Sequence, residues 1–231
     1  MNTDDLFLRK AGKVVRKKIT YGTSTRSSFK GTRIMMNASG QPRFDVLQKG
    51  KRRKFAVQLA SAGMHNVSNA LAAAAVGSTF RVSAKKISGA LGKFSSTSKR
   101  MEIIHRNGII ILNDTYNANP DSVIVALETL RAIQTSGKKI VVLGDMRELG
   151  DASKREHINI GVAVAEMKFD HLFTTGHFSK YTHDAAQLST AKYFETKEEL
   201  ASSLKQIVKQ GDVVLVKGSR GMKMEDVVAQ L

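Results

Sequence analysis

The apolar run Gly108-Ile109-Ile110-Ile111-Leu112 passes directly into Asn113-Asp114-Thr115-Tyr116-Asn117-Ala118-Asn119-Pro120-Asp121-Ser122. A β-branched run that stops abruptly in Asn, Asp, Thr and Pro reads as a buried strand feeding a loop and then a helix. In open α/β sheets, ligands gather at the carboxyl ends of the strands, so this polar cluster stands where a binding site is expected. The same residues also suit an ordinary connecting loop, because Asn, Asp and Pro are common in turns. The local pattern leaves both readings open.

The surrounding chain supports a sheet of this kind. Strands are expected at 102–106, 109–112, 139–143, 171–174 and 213–216. Helices are expected at 121–134, 153–167, 179–187, 197–208 and 223–230. Strands separated by single helices imply a mostly parallel, doubly wound sheet. The first part reads differently. Lys13–Tyr21 alternates loosely and closes in the turn residues Gly22-Thr23-Ser24-Thr25. Phe44–Leu47 and Phe55–Leu59 are short strand candidates around a basic turn at Gly50. From Asn66 the period becomes helical, with Val67, Ala70, Leu71, Ala74 and Ala75 on one face and Asn66 as N-cap. A second short helix, Ser83–Leu91, has Ser83 as its N-cap and Gly92 just past its end. The small, serine-rich stretch Gly92–Lys99 is the expected domain boundary, giving domains 1–95 and 96–231.

Composition sets limits. At 231 residues with 42% hydrophobic residues and two prolines, the chain can bury an ordinary core. It has no cysteine, which excludes disulfides and thiolate metal sites and suits a reducing, cytoplasmic setting. No apolar run approaches a membrane span, and the opening residues do not form a signal peptide. The net charge of +17 is uneven: residues 1–54 hold 15 Lys and Arg against three acids, leaving 22 against 17 for the remainder. Runs such as Arg16-Lys17-Lys18 and Lys51-Arg52-Arg53-Lys54 could neutralise phosphates. They lack interleaved aromatics, zinc-ligand spacing or a helix-turn-helix pattern, and are read as a solvated face rather than a nucleic-acid site.

Four ordered segments resemble the Mur ligases. They are Gly63-Met64-His65-Asn66-Val67-Ser68-Asn69-Ala70-Leu71-Ala72-Ala73-Ala74, the Asn113–Ser122 cluster, Val142-Leu143-Gly144-Asp145-Met146-Arg147-Glu148-Leu149-Gly150, and Val214-Leu215-Val216-Lys217-Gly218-Ser219-Arg220. The opening Met1-Asn2-Thr3-Asp4-Asp5 is similar to a strand-end motif late in the family's central domain. The likeness leans toward the D-alanyl-D-alanine-adding branch. Folylpolyglutamate and cyanophycin synthetases share the architecture but match these segments less well. The resemblance implies an α/β chain: the end of a central ATPase domain followed by a Rossmann-like doubly wound domain.

It also implies roles. Asn66 and Asn69 would face the adenine. Arg100 would reach the nucleotide phosphates, although the family normally has glycine before it and this chain has Lys99. Asp114 would accept hydrogen bonds from ribose hydroxyls, with Tyr116, Asn117 and Asn119 lining the gap between nucleotide and peptide. Asn119 also reads locally as the N-cap of the helix opened by Pro120. Asp145 or Glu148 would hold the ammonium of the incoming dipeptide. Lys217, Ser219 and Arg220 would grip a carboxylate or phosphate. His157 is left unassigned.

The implied activity is an ATP-dependent amide ligation in peptidoglycan synthesis, joining D-Ala-D-Ala to UDP-N-acetylmuramoyl-tripeptide through an acyl-phosphate. No Walker A loop is present: the Gly-Lys pairs at 12–13, 50–51, 92–93 and 137–138 are followed by Val, Arg, Phe and Lys. In the family the phosphate loop and the Mg2+ ligands lie upstream of the region matched, so the chain is expected to be a partial ligase, inactive alone. The rival reading is a non-catalytic binding module, either a regulatory remnant or a basic nucleic-acid binder.

Overall fold

The structure is a computed structural model that describes residues 1–51, 54–94 and 98–231. The middle of the Lys51–Lys54 run and of the Gly92–Lys99 boundary lies outside the described residues. The chain divides into two compact units, Met1–Ser95 and Ser96–Leu231.

The first unit has a four-stranded sheet in the order β1 (Tyr21–Gly22), β2 (Phe29–Met36), β3 (Pro42–Gln48) and β4 (Phe55–Gln58). β1 runs parallel to β2; the other pairs are antiparallel. Three helices accompany it: α1 (Leu6–Ala11), α2 (Met64–Thr79) and α3 (Ala84–Lys93). Val67, Ala70, Leu71, Ala74 and Ala75 of α2 form one buried stripe against Phe29, Phe44, Val46 and Val57 of the sheet. Their i, i+3, i+4 spacing makes that stripe continuous.

Several expectations for this unit need correction. Lys13–Tyr21 is not a strand. The Asp5 carboxylate accepts from the Leu8 amide at 2.8 Å and starts α1, which runs into a 3-10 turn at Gly12–Val14. β2 was not expected, because lysine, threonine and arginine break its apolar alternation. Asn66 is not the N-cap of α2: the helix begins two residues earlier, after Gly63. Ser83 does cap α3, accepting from the Lys86 amide. Gly92, however, lies inside α3 rather than past it. A Cβ there would stand 3.2 Å from the Gln58 carbonyl oxygen, so glycine lets the helix press onto β4.

The second unit has a six-stranded sheet. In chain order its strands are β5 (Glu102–Arg106), β6 (Ile109–Asp114), β7 (Lys139–Gly144), β8 (His171–Thr175), β9 (Ala191–Phe194) and β10 (Val213–Lys217). In space they run β5-β6-β10-β7-β8-β9, with only β5 antiparallel. The helices are α4 (Pro120–Ala132), α5 (Ser153–Met167), α6 (Ser179–Ala186), α7 (Lys197–Ile207) and α8 (Glu225–Gln230). α7 and α8 cover the face made by Ile111, Ile140, Val142, Phe173, Val214 and Val216. α4 and α6 touch the sheet at β10, β7 and β8, with α5 packed between them. The sheet is therefore doubly wound, and burial on both faces explains why the central strands β6, β7 and β10 are nearly continuous apolar runs. β9 was not expected, and α8 starts at Glu225 because a 3-10 turn occupies Arg220–Met222. Among the described residues no helix is long and apolar enough to cross a membrane.

Strand order decides where chemistry can happen. β10 lies between β6 and β7, so Lys217 sits in register with Asp114 on one side and Leu143 on the other. The loops leaving all three strands therefore emerge side by side at the carboxyl edge. Behind them, α5 and α6 pack closely at Gly161, where a Cβ would stand 2.4 Å from the Thr182 carbonyl oxygen. We expect Gly161→Ala to lower unfolding free energy by about 1–3 kcal/mol, measured as a reduced urea midpoint. An unchanged midpoint would show that the two helices can separate without cost.

Candidate functional site

In the first unit, a groove of about 250 Å³ is lined by Leu59, Ser61, Asn66, Asn69, Ala70, Ala73, Leu91 and Phe94. Asn66 sits in the first turn of α2 and donates to the Ala62 carbonyl at 2.7 Å. Asn69, one turn on and exposed, donates to the Asn66 side-chain oxygen at 3.4 Å. Apolar walls with a polar amide edge suit a flat heteroaromatic ring, since an amide both donates and accepts.

In the second unit, the strand-end cluster is organised by Lys217. Its side chain is only 2% exposed, and its ammonium donates to the Asp114 carboxylate at 2.5 Å and the Asn117 carbonyl at 2.9 Å. The other Asp114 oxygen accepts from the Met101 amide at 2.9 Å. Asp114 thus ties β10, the Thr115–Asn119 loop and the 98–101 strap together. Each carboxylate oxygen has a second lone pair, so Asp114 keeps acceptor capacity for a hydroxyl.

The strap is held at three further points. Lys99 donates its amide to Glu102 at 3.0 Å, its carbonyl accepts from the Tyr116 amide at 2.9 Å, and its ammonium pairs with Glu225 at 3.0 Å. Lys99 has φ of +67°, a left-handed conformation costing a side chain about 1–2 kcal/mol. That conformation is a physical reason for glycine at this position. Arg100 lies over the Tyr116 ring with its guanidinium carbon 3.8 Å from the centroid. Both residues are exposed. A guanidinium stacked this way keeps its N–H fork for an anion.

The remaining candidates divide. Ser219 is 3% exposed; its hydroxyl accepts from the Arg147 amide at 2.7 Å and donates to the Ala118 carbonyl at 3.3 Å. Its amide donates to the Asp145 carbonyl. Asp145 is buried, with one carboxylate oxygen taking the Ser179 amide and hydroxyl at 2.7 and 2.8 Å. Asn119 caps α4 through Ser122 in a reciprocal capping box. Asn117 accepts from the Ala118 amide. Arg220 is largely exposed and pairs with Glu225 at 2.8 Å. Glu148 is exposed, in left-handed backbone at φ +66°. So Lys217, Ser219 and Asp145 face inward as scaffold and Asn119 is an exposed helix cap, whereas Arg100, Tyr116, Asn117, Glu148 and Arg220 face solvent. Among the described residues, no group of three or more His, Cys, Asp or Glu could hold a metal ion.

Three contributors were given no role by the sequence. Glu225 takes both Lys99 and Arg220 on one oxygen. Burial raises its pKa, but its own backbone amide and the two cations outweigh that and hold the carboxyl below its ordinary value. Arg147 leaves the end of β7 and reaches across to Met222. His157, 1% exposed, accepts from the Met146 amide at 3.0 Å through Nε2, while Nδ1 faces the Ser153 carbonyl at 2.7 Å. This pairing requires the neutral ring protonated at Nδ1. Only a lone helical histidine signalled it in the sequence.

A model described as "Mur ligase, glutamate ligase domain" matches residues 99–220, and one described as "Mur ligase middle domain" matches 1–77. The chain belongs to the Mur ligase family. UDP-N-acetylmuramoyl-tripeptide–D-alanyl-D-alanine ligase of Bacillus subtilis is 33% identical over 217 residues, 92% of this chain and 46% of that protein. The enzyme of the same name from Escherichia coli is 33% identical over 173 residues, 73% and 37% of the two chains. A crystal structure of MurF from Acinetobacter baumannii superposes over 100% of this chain and 51% of that one, with TM-score 0.85 and 28% identity. MurF from Thermotoga maritima, crystallised in complex with ADP, shares the fold at TM-score 0.83 and 24% identity. This Mur ligase chain spans about half the length of the curated relatives it matches.

Two outcomes are expected of this Mur ligase site. Asp114→Asn leaves the buried Lys217 ammonium without its counter-charge and should cost about 3 kcal/mol or more, read as a lowered urea midpoint. A loss below about 1 kcal/mol would mean that water replaces the carboxylate. Burial pushes the His157 pKa down against the opposing Ser153 hydrogen bond and Asp145 charge. The unfolded chain therefore binds this proton first as pH falls below the ordinary value of 6.5. Stability should be full above that pH and decline below it, at up to about 1.4 kcal/mol per pH unit, until the depressed native pKa is reached. His157→Gln should flatten the decline; an equally steep one would place its origin elsewhere.

Proposed function

We propose that this chain is the nucleotide- and dipeptide-facing part of a D-alanyl-D-alanine-adding ligase of peptidoglycan synthesis, in a cytoplasmic setting. The observation that carries the reading is the strand-end cluster, in which Asp114 and the stacked Arg100–Tyr116 pair share one anchored strap and loop. Arg100 supplies a cationic fork for nucleotide phosphate oxygens, and Asp114 accepts from ribose hydroxyls while remaining paired with Lys217. In the first unit by itself, the apolar groove with the Asn69 amide at its edge suits a heteroaromatic ring such as adenine.

On the substrate side, the dipeptide carboxylate falls to Arg220, on the Ser219-anchored turn after β10. Glu148 is better placed than Asp145 to hold the ammonium, because it is exposed and Asp145 is committed to Ser179. Lys217 and Ser219 act through these groups rather than on the ligand. Catalysis of this type rests on positioning and charge stabilisation. In this scheme the amine of the dipeptide attacks an acyl-phosphate, giving amide and phosphate. Mg2+ would supply charge neutralisation on the ATP phosphates. The described residues do not fit a Mg2+ cage.

Calorimetric titration of the full chain with ADP tests the reading. We expect measurable binding that weakens about tenfold in Tyr116→Ala or Arg100→Ala, corresponding to a lost contact of about 1.4 kcal/mol. Binding indifferent to both substitutions would place the nucleotide elsewhere.

A further inference from the structure

We propose that Lys99 is a second phosphate-binding cation beside Arg100, parked on Glu225 in the free chain and released to the nucleotide when it binds. This rests on the nucleotide reading given above. Four observations carry it. The Lys99 main chain is fixed at both its amide and its carbonyl, by Glu102 and by Tyr116. Only the side chain therefore has to move, and a long flexible ammonium stem does so readily. Its ammonium pairs with Glu225 at 3.0 Å with the lysine side chain still 31% exposed, and partly exposed pairs of this kind are cheap to break.

The third observation removes the usual obstacle to such a swing. Withdrawing a cation from a mostly buried carboxylate is costly when nothing replaces it. Here the same Glu225 oxygen is also held by Arg220 at 2.8 Å, so the carboxylate stays compensated after Lys99 leaves. Fourth, Lys99 is next to Arg100, whose guanidinium is stacked on Tyr116. A phosphate group drawn to Arg100 would therefore sit within the neighbourhood of the lysine. A residue kept in left-handed backbone at φ +67° is thereby given a binding role as well as a structural one.

The experiment compares ADP with adenosine on the full chain and on three variants. Lys99→Ala should weaken ADP about fivefold and leave adenosine unchanged, and should lower the salt dependence of ADP binding. Glu225→Gln keeps the shape but frees the lysine, and should tighten ADP severalfold. The double variant, Lys99→Ala with Glu225→Gln, should show no such gain. An ADP-to-adenosine ratio unaffected by Lys99→Ala would overturn the proposal while leaving the nucleotide site standing. So would a Glu225→Gln gain that persists without Lys99. Absence of ADP and adenosine binding by the unsubstituted chain would overturn both this inference and the reading on which it rests.

Discussion

The ion pair between Lys217 and Asp114 is the constraint on which the rest of the strand-end site depends. A lysine 2% exposed at the end of a central strand needs a counter-charge and further acceptors, because an unpaired buried ammonium is expensive. Asp114 and the Asn117 carbonyl supply them. Meeting that requirement fixes β10 against β6, the Thr115–Asn119 loop against β10, and the 98–101 strap against Asp114. Ser219 extends the same framework to the loop after β7 through Arg147 and Asp145. Three adjacent strand ends thus share one hydrogen-bonded floor, and the solvent-facing side chains stand on it.

The second unit was largely legible in the sequence. Its central strands β6, β7 and β10 carry apolar, β-branched runs, and α4 starts at the expected cap Asn119. β9 escaped because Ala191–Phe194 is short and only partly buried at the sheet edge. The first unit was harder, because its antiparallel strands carry lysine and arginine on the solvent face. The loose alternation after Lys13 was overridden by the Asp5 cap and the turn at Gly12–Val14. At Gly92, tight packing on β4 outweighed the usual preference of glycine for helix ends.

The candidate site shows a different limit. Motifs identified which loops carry chemistry but not which way each side chain faces. Lys217, Ser219 and Asp145 belong to the expected loops yet point into the floor, whereas Arg100, Tyr116 and Glu148 are presented to solvent. Glu225 and the role of His157 could not be found by pattern. Each acts through partners distant in sequence or through a backbone amide: Glu225 through Lys99, His157 through Met146. Those links exist only once strand order has brought the loops together.

Within the family, this chain carries an apolar groove with two asparagines and a cationic strand-end cluster, and no phosphate-cradling glycine loop among its residues. Ligand binding and phosphoryl chemistry are therefore separable in this family. The most direct measurement is phosphate release from ATP by the full chain with Mg2+, UDP-muramoyl-tripeptide and D-Ala-D-Ala all present. The account predicts no release above the protein-free rate. Release that depends on D-Ala-D-Ala would contradict it and show that this chain holds a phosphate site of its own.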